Sequence, residues 1–142
     1  MTGRRRLLAA AAAGALAMGL ALAAWAAFAP LPGSSDLTYV IPPGTADRQA
    51  EGRPLDVLPA VIRLMVGVRD VLVLSNDDTA IHQLGPIILG PRQIYRIPFR
   101  QPGQFRFTCS LHASGSLAIV VEAPPRAGLD RLRWRVARLA AA

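Results

Sequence analysis

The chain contains one cysteine and two histidines, and two of these three residues lie three positions apart. Cys109 and His112 fall in the stretch FTCSLHASGSLAIVVE, residues 107–122, and the other histidine, His82, closely follows the stretch DVLVLSN. One thiolate and two neutral imidazoles form the trigonal ligand set of a blue copper site. Because this set suits both Cu(I) and Cu(II), such a centre reorganises little when an electron arrives or leaves.

The unpaired cysteine has other interpretations. A buried free thiol packs as a small hydrophobic side chain, and a thiol beside a histidine can be activated as a nucleophile. A Cys–His hydrolase also needs an orienting third group and an oxyanion site, and no motif in the sequence supplies either. Zinc accepts the same residue types but favours four ligands, and the sequence offers no obvious fourth.

The elements that must position these residues are short strands. Seven segments are rich in β-branched or aromatic residues and are bounded by Gly, Pro, Asn or Asp. Period-2 alternation within them predicts strands that bury one face, and together they predict an antiparallel β-sandwich. The proline-rich segment 42–59 is predicted to be a long loop with one helical turn. The predicted strands are residues 37–41, 60–66, 70–76, 86–90, 93–99, 103–109 and 116–122.

The N-terminus has the pattern of an export signal. Arg4 to Arg6 precede the uncharged stretch Leu7–Ala29, whose 23 residues are enough to cross a bilayer as a helix. The positive-inside rule keeps the arginines in the cytoplasm and places the remainder on the periplasmic or extracellular face. A membrane anchor is favoured, and the small-residue pattern Ala24-Trp25-Ala26 leaves secretion after cleavage as the alternative.

The formal charge of +7 belongs to the two ends of the chain. Between Pro30 and Pro125 there are eight arginines and eight acidic residues, so the predicted domain is neutral. A basic groove with interleaved aromatic residues is absent from the sequence, and we expect no nucleic-acid partner. The predicted organisation is a signal peptide or anchor at 1–29, a linker at 30–36, the β-domain at 37–125 and a basic tail at 126–142.

The basic tail has a helical pattern in which apolar and basic residues separate. On a helix the apolar residues share one face and three arginines lie largely opposite. A helix of this type can lie on an anionic lipid surface or on a partner protein, or it can be a docked or solvated end of the chain. A strand is also compatible with the local alternation. The apolar residues are Leu129, Leu132, Val136 and Leu139, and the arginines are Arg131, Arg135 and Arg138.

Three motifs, in order over about residues 60–122, resemble the cupredoxin family and in particular its plastocyanin-like blue copper domains. They are the strand DVLVLSN followed by His82, the turn and strand PGQFRFTC at 102–109, and the sequence CSLH at 109–112 followed by a glycine and an apolar strand. The resemblance implies an all-β, cupredoxin-like antiparallel Greek-key β-sandwich. It also implies one type 1 copper ion with His82, Cys109 and His112 as ligands, and electron exchange with a redox partner protein.

The sequence departs from the family pattern at two positions. The weak axial thioether ligand usually falls five residues after the second histidine of the cysteine loop, where this chain has Leu117. Loss of a weak donor destabilises Cu(II) more than Cu(I), which predicts a high reduction potential. The residue after the first histidine ligand is often Asn, which tethers the cysteine loop. Here it is Gln83, with Ser110 as its expected partner outside the ligand set.

Other functions have less support from the sequence. A copper enzyme with a second copper centre needs further histidines, and none remain, so we expect an electron carrier rather than an enzyme. One alternative is a copper carrier or sensor module without redox work, although the chain lacks the Met-rich or His-rich tracts common in copper handling. A second alternative is a metal-free structural domain.

Overall fold

The computed structural model describes residues 2–55, 57–112 and 114–140. The chain divides into two compact units. One is Leu31–Pro124, and the other joins the two ends of the chain, up to Pro30 and from Pro125 onward. In chain order the elements are α1 (Thr2–Phe28), β1 (Asp36–Ile41), α2 (Thr45–Ala50), β2 (Val61–Met65), β3 (Val71–Asn76), β4 (His82–Leu84), β5 (Ile87–Leu89), β6 (Ile94–Pro98), β7 (Gly103–Thr108), β8 (Ser116–Glu122) and α3 (Leu129–Ala140).

The unit Leu31–Pro124 contains two three-stranded sheets, ordered β1-β3-β6 and β2-β8-β7, and the two-stranded sheet β4-β5. The pairs β3–β6 and β7–β8 are antiparallel, as expected. The pairs β1–β3 and β2–β8 are parallel, so the prediction of a purely antiparallel sandwich is wrong. Between β1 and β3 the chain crosses to the other sheet and back, which returns it in the same direction. Burial alternation along one strand carries no information on the direction of its neighbour.

One hydrophobic core joins the two larger sheets. Leu72 and Leu74 of β3 belong to the same buried cluster as Ile62 of β2 and Ile119 of β8. Because both sheets direct apolar residues into this cluster, they form the two layers of a β-sandwich, as the alternation predicts. The Greek-key connectivity stays a prediction.

Each predicted strand overlaps an observed strand, and the ends differ by at most one residue. Strand β4 was not predicted, because its three residues, His82–Leu84, are too short for a periodic pattern. The helical turn expected within 42–59 is the six-residue helix α2. The predicted linker 30–36 is tied down at its end: β1 begins at Asp36, and the Ser35 hydroxyl donates to the Val68 carbonyl at 2.6 Å.

The other unit is built from α1 and α3. Helix α1 has no basic residue in its own last turn, and an arginine of α3 bonds its terminal carbonyls instead. The guanidinium of Arg135 donates to the carbonyl oxygens of Ala26 at 2.8 Å, Ala29 at 3.0 Å and Pro30 at 2.7 Å. The tail is therefore helical from Leu129 to Ala140, and the strand alternative is wrong. Residues Gly3–Phe28 are long and apolar enough to cross a membrane.

Candidate metal centre

His82 is the first residue of β4 and is almost completely buried, with 4% of its surface exposed. The β4–β5 ladder pairs it with Leu89. Its ring Nε2 lies 2.9 Å from Oδ2 of Asp78, four residues earlier. Its Nδ1 makes no hydrogen bond to a described residue, and a lone pair on that nitrogen is the kind of donor that a metal ion accepts.

Asp78 is 2% exposed and is surrounded by donors. Its Oδ1 accepts the backbone N–H of Gly44 and of Thr79, both at 2.9 Å, and its Oδ2 accepts the N–H of Ala46 at 3.0 Å. Burial opposes ionisation of Asp78, but the hydrogen bonds from Ala46, His82, Thr79 and Gly44 outweigh it and lower the pKa of the carboxyl to about 2. The side chain next to His82 is therefore a carboxylate.

Cys109 directly follows β7 and is 2% exposed. A β-bridge joins it to Leu84, the last residue of β4, so the cysteine segment runs beside the strand that starts with His82. Burial raises the pKa of the thiol, while the backbone N–H groups of Leu111 and His112 act on the sulfur in the opposite direction. The main chain thus provides donors to a sulfur that is removed from water.

His112 lies in the loop between β7 and β8 and is only half-buried. Its carbonyl accepts the N–H of Gly115 at 2.9 Å, and the Gly115 carbonyl accepts the N–H of Cys109 at the same distance. Gly115 has a φ of 67°, a left-handed conformation that glycine adopts without strain. The Nε2 atom of His112 is enclosed and has no hydrogen-bond partner among the described residues. An enclosed nitrogen without a partner is an expected feature of a group that binds a ligand.

Gln83 and Ser110 are joined across the two segments, but through the main chain of Gln83. The N–H of Ser110 donates to the Gln83 carbonyl at 3.0 Å, and the Gln83 N–H donates to the Ser110 hydroxyl at 2.9 Å. The amide side chain of Gln83 turns away and donates to the carbonyl of Gly85. The link between β4 and the cysteine segment therefore uses the main chain of Gln83 and not its side-chain amide, whereas in the family pattern the Asn at this position would use its side chain.

Leu117 is 1% exposed and belongs to the same buried cluster as Cys109. It lies in β8 opposite Phe107 of β7. Met65, the last residue of β2, is half-buried and pairs with Glu122 of β8.

The three candidate ligands come from adjacent segments, but their side chains are not gathered around one point. Within the described ranges, no group of three or more His, Cys, Asp or Glu side chains is arranged so that it could hold a metal ion. The Nε2 atom of His82 faces Asp78. A separate cleft of about 220 Å³ lies at the cysteine segment, and its lining residues are Gln83, Thr108, Cys109, Ser110 and Gly115. The donor chemistry fits copper, since a buried thiol and two imidazoles with an available nitrogen are present.

Sequence reasoning missed Asp78 and the contact of helix α2 with the cysteine segment. Asp78 precedes His82 by four residues, and a carboxylate at this short spacing from a candidate histidine ligand was the available signal. Helix α2 contacts the segment that carries Cys109. The side-chain amide of Gln49 donates to the Ser110 carbonyl at 2.6 Å. No pattern within 42–59 predicts that contact, because it joins residues 61 positions apart.

Comparisons with known proteins give likenesses of fold only. No protein-family model matches the chain, and no curated protein matches it. Among solved structures, a purple cupredoxin from Nitrosopumilus maritimus is 19% identical, with 61% of this chain and 100% of that chain covered and a TM-score of 0.44. One amicyanin mutant in the Cu(I) state is 14% identical over 61% of this chain and 82% of that chain, with a TM-score of 0.41. A second Cu(I) amicyanin mutant is 15% identical over 66% and 87%, with a TM-score of 0.42.

Proposed function

We propose that this chain is an exported, membrane-anchored blue copper protein that carries single electrons to or from a redox partner protein. His82, Cys109 and His112 hold one type 1 copper ion, which supplies the one-electron change between Cu(I) and Cu(II). The observation that carries the proposal is the placement of the only cysteine. Its thiol is 2% exposed, it is bridged to the strand that begins with His82, and it lies three residues before an imidazole with an unpaired enclosed nitrogen.

The surroundings of Cys109 support a thiolate once the metal replaces the proton. An isolated buried thiol is neutral, because burial disfavours the charged form. Here the N–H groups of Leu111 and His112 favour the anion and partly offset that effect. A copper ion adds a positive charge directly at the sulfur and tips the balance toward the thiolate.

The half-buried His112 supports electron exchange with another protein. Its ring is the more exposed of the two candidate imidazoles, since His82 is enclosed. An electron that leaves the centre through His112 crosses less protein than one that leaves through His82. We therefore assign the partner-facing side of the centre to the loop between β7 and β8.

Leu117 is the proposed axial neighbour of the copper ion. It is fully buried and shares the core cluster with Cys109, so it excludes water and donates no electron pair. Cu(II) loses more stabilisation than Cu(I) in such a site, and a high reduction potential follows. The tether between Gln83 and Ser110 lies outside the ligand set and keeps the cysteine segment in register with β4.

The contacts at the end of α1 support a retained anchor. The small residues that would permit cleavage, Ala24 to Ala26, lie within α1, and Ala27 is buried. The N–H of Gly128 donates to the Ala27 carbonyl at 2.9 Å, and the Arg135 guanidinium donates to the Ala26 carbonyl at 2.8 Å. Proteases prefer exposed, mobile segments, and this one is helical and hydrogen-bonded.

The function is tested by adding Cu(II) to the full-length chain in mild detergent and recording the visible spectrum. We expect an intense thiolate-to-copper absorption that disappears on reduction and returns on oxidation. Cys109→Ser should abolish it, whereas Ser114→Ala, in the same loop, should leave it intact. Copper uptake without a reversible colour change would favour a carrier or sensor module. A chain that binds zinc or no metal would contradict both copper functions.

The location is tested with a reporter domain fused after Ala142. Because Arg4 to Arg6 precede α1, the reporter should be active only outside the cytoplasm. Membrane fractionation with N-terminal sequencing then separates the two exported forms. A soluble protein whose mature N-terminus lies near Ala27 would contradict the anchor and support secretion.

A further inference from the structure

Asp78 faces four donors, and their number constrains the proton on His82. The backbone N–H groups of Gly44, Ala46 and Thr79 can only donate, so the carboxylate accepts from all three. The remaining short contact, 2.9 Å, is to Nε2 of His82. A neutral imidazole has one N–H and one lone pair. Since a carboxylate offers only lone pairs, the neutral His82 ring in this contact carries its proton on Nε2 and its lone pair on Nδ1.

We propose that Asp78 is the positioning residue of the candidate copper centre: it fixes the His82 ring with Nε2–H donating to its carboxylate, so that Nδ1 presents its lone pair to the metal ion. This inference rests on the proposed function for the role of His82 as a ligand. It assigns a residue that lies outside the ligand set. Metal-bound histidines commonly donate their second N–H to a carboxylate, which fixes the tautomer and raises the basicity of the ligand.

The main chain of Asp78 is held in place by Asn76, which is 0% exposed. The Asn76 side-chain oxygen accepts the Asp78 N–H at 3.0 Å. Its side-chain nitrogen donates to the carbonyls of Ala80, at 2.9 Å, and Leu89, at 3.0 Å. Leu89, in β5, pairs with His82 in the β4–β5 ladder. The same residue accepts a hydrogen bond from Asn76, which holds the main chain of Asp78, so Asp78 and His82 are both positioned by β5. The arrangement is therefore preset by the fold.

Helix α2 extends the effect of Asp78 to the cysteine segment. Asp78 accepts from Gly44 and Ala46 at the start of α2, and Gln49 near the end of α2 donates to the Ser110 carbonyl at 2.6 Å. Ser110 is the neighbour of Cys109. One short helix is thus bonded both to the carboxylate behind His82 and to the segment that carries the thiol.

The carboxylate should favour Cu(II) over Cu(I). A hydrogen bond to an anion makes the imidazole a stronger donor, and the more highly charged metal ion gains more from it. Loss of such an outer carboxylate typically lowers metal affinity by about 10- to 100-fold. If the loss falls mainly on Cu(II), a tenfold change raises the one-electron potential by ~59 mV.

The first test needs no metal. Nitrogen-15 NMR of the metal-free full-length chain in detergent reports which ring nitrogen of each histidine is protonated. We expect the neutral form of His82 to carry its proton on Nε2, and we expect His112, which has no such carboxylate among the described residues, to lack a single fixed tautomer. A neutral His82 ring with its proton on Nδ1 would overturn the inference.

The second test compares Asp78→Asn with Asp77→Asn. Asp77 is the adjacent carboxylate, is exposed and bonds the Ser75 hydroxyl, so its loss removes the same charge without touching His82. Asp78→Asn should lower Cu(II) affinity by about 10- to 100-fold and raise the reduction potential. Asp77→Asn should change neither, and Gln49→Ala should have a smaller effect than Asp78→Asn. Equal effects of Asp77→Asn and Asp78→Asn would overturn the inference, since a nonspecific charge effect would then suffice.

Failure of the inference can be distinguished from failure of the proposed function. If the wild-type chain binds copper and the His82 tautomer is not fixed at Nε2–H, the inference is wrong and the function stands. If His82 shows the fixed tautomer and the wild-type chain binds no copper, the function is wrong, and Asp78 is an anchor of the fold with no metal-positioning role. Should Asp78→Asn fail to fold, the tautomer in the wild-type chain still decides the first point.

Discussion

The two candidate histidine ligands lie in opposite environments. His82 is 4% exposed, and its Nε2 is bonded to a carboxylate that three backbone N–H groups hold in place. His112 is half-buried in a loop, and its Nε2 has no partner among the residues that the structure describes. Among the described residues, the protein therefore provides a partner for Nε2 of His82 and none for Nε2 of His112.

Because of this difference, changes at the two histidines should affect different quantities: the stability of the metal-free fold near His82, and metal binding at His112. Contacts around His82 stabilise the fold whether or not a metal is present, so changes there should affect the metal-free protein. Contacts of His112 contribute little to the fold, so changes there should be visible mainly in metal binding. The predictions that follow test this division, beginning with the largest effect.

Asp78→Ala should destabilise the metal-free chain far more than His112→Ala does. A buried donor left without its acceptor typically costs about 1–3 kcal/mol, and this carboxylate accepts the N–H groups of Gly44, Ala46 and Thr79 as well as contacting the His82 ring. For His112→Ala, in a half-exposed loop, we expect a loss of about 0.5 kcal/mol.

The free energy of unfolding can be measured with urea and near-UV circular dichroism of the tyrosines. Both tyrosines, Tyr39 and Tyr95, lie in the sandwich, whereas Trp25 and Trp134 lie in the helical unit. Asp77→Ala is the control. Equal losses for Asp78→Ala and His112→Ala would remove the distinction between the two halves.

Acid should remove the contribution of Asp78. Its pKa in the folded chain is about 2 against an ordinary 3.8, so the stabilisation is complete above about pH 5 and is lost progressively as the pH falls through the folded pKa of about 2. The expected loss is about 2 kcal/mol, from about 1.4 kcal/mol for each unit of difference between the two pKa values. Asp78→Asn should lack this part of the pH dependence. The contribution of Asp70, whose pKa is also lowered, is common to both proteins and cancels in the difference. Superimposable pH profiles would contradict the prediction.

The same division explains how much the sequence could predict. The strands and the packed faces follow from period-2 burial, and the cysteine loop with its candidate ligands follows from residue types and spacing. The carboxylate behind His82 depends on contacts between Asp78 and Gly44 or Ala46, which are more than 30 positions apart. The parallel pairing of β1 with β3 likewise depends on how the chain crosses between sheets. The four-residue spacing of Asp78 from His82 is a local signal, but the contacts with Gly44 and Ala46 and the pairing of β1 with β3 are not encoded in a local pattern.

Leu117→Met tests the proposed axial position. The swap restores a thioether of similar volume, so its packing cost should be under about 1.5 kcal/mol. A thioether that faces the metal should lower the reduction potential by tens of millivolts, with ~59 mV corresponding to a tenfold change in the equilibrium constant. Leu84→Met, at another buried core position, is the control. An unchanged potential, with copper retained, would place another group in the axial position.

Ser110→Ala should have a small effect on the stability of the fold. It removes the hydroxyl that accepts the Gln83 N–H but keeps the backbone bond between the same residues. Because Gln83 is exposed, water can replace the lost acceptor, and we expect about 0.5–1 kcal/mol of destabilisation. Gln83→Ala should cost less, since the tether uses only its main chain. Urea unfolding of both variants checks the order, and a larger loss for Gln83→Ala would reverse the assignment.

The most direct test of the central claim is X-ray absorption at the copper edge of the loaded full-length chain. The account predicts one sulfur and two imidazole nitrogens around a single copper ion. In Cys109→Ser the sulfur should vanish, and in His82→Ala or His112→Ala one imidazole should be lost. A copper ion surrounded only by oxygen and nitrogen in the wild-type chain, with no sulfur, would contradict the claim that Cys109, His82 and His112 form one copper centre.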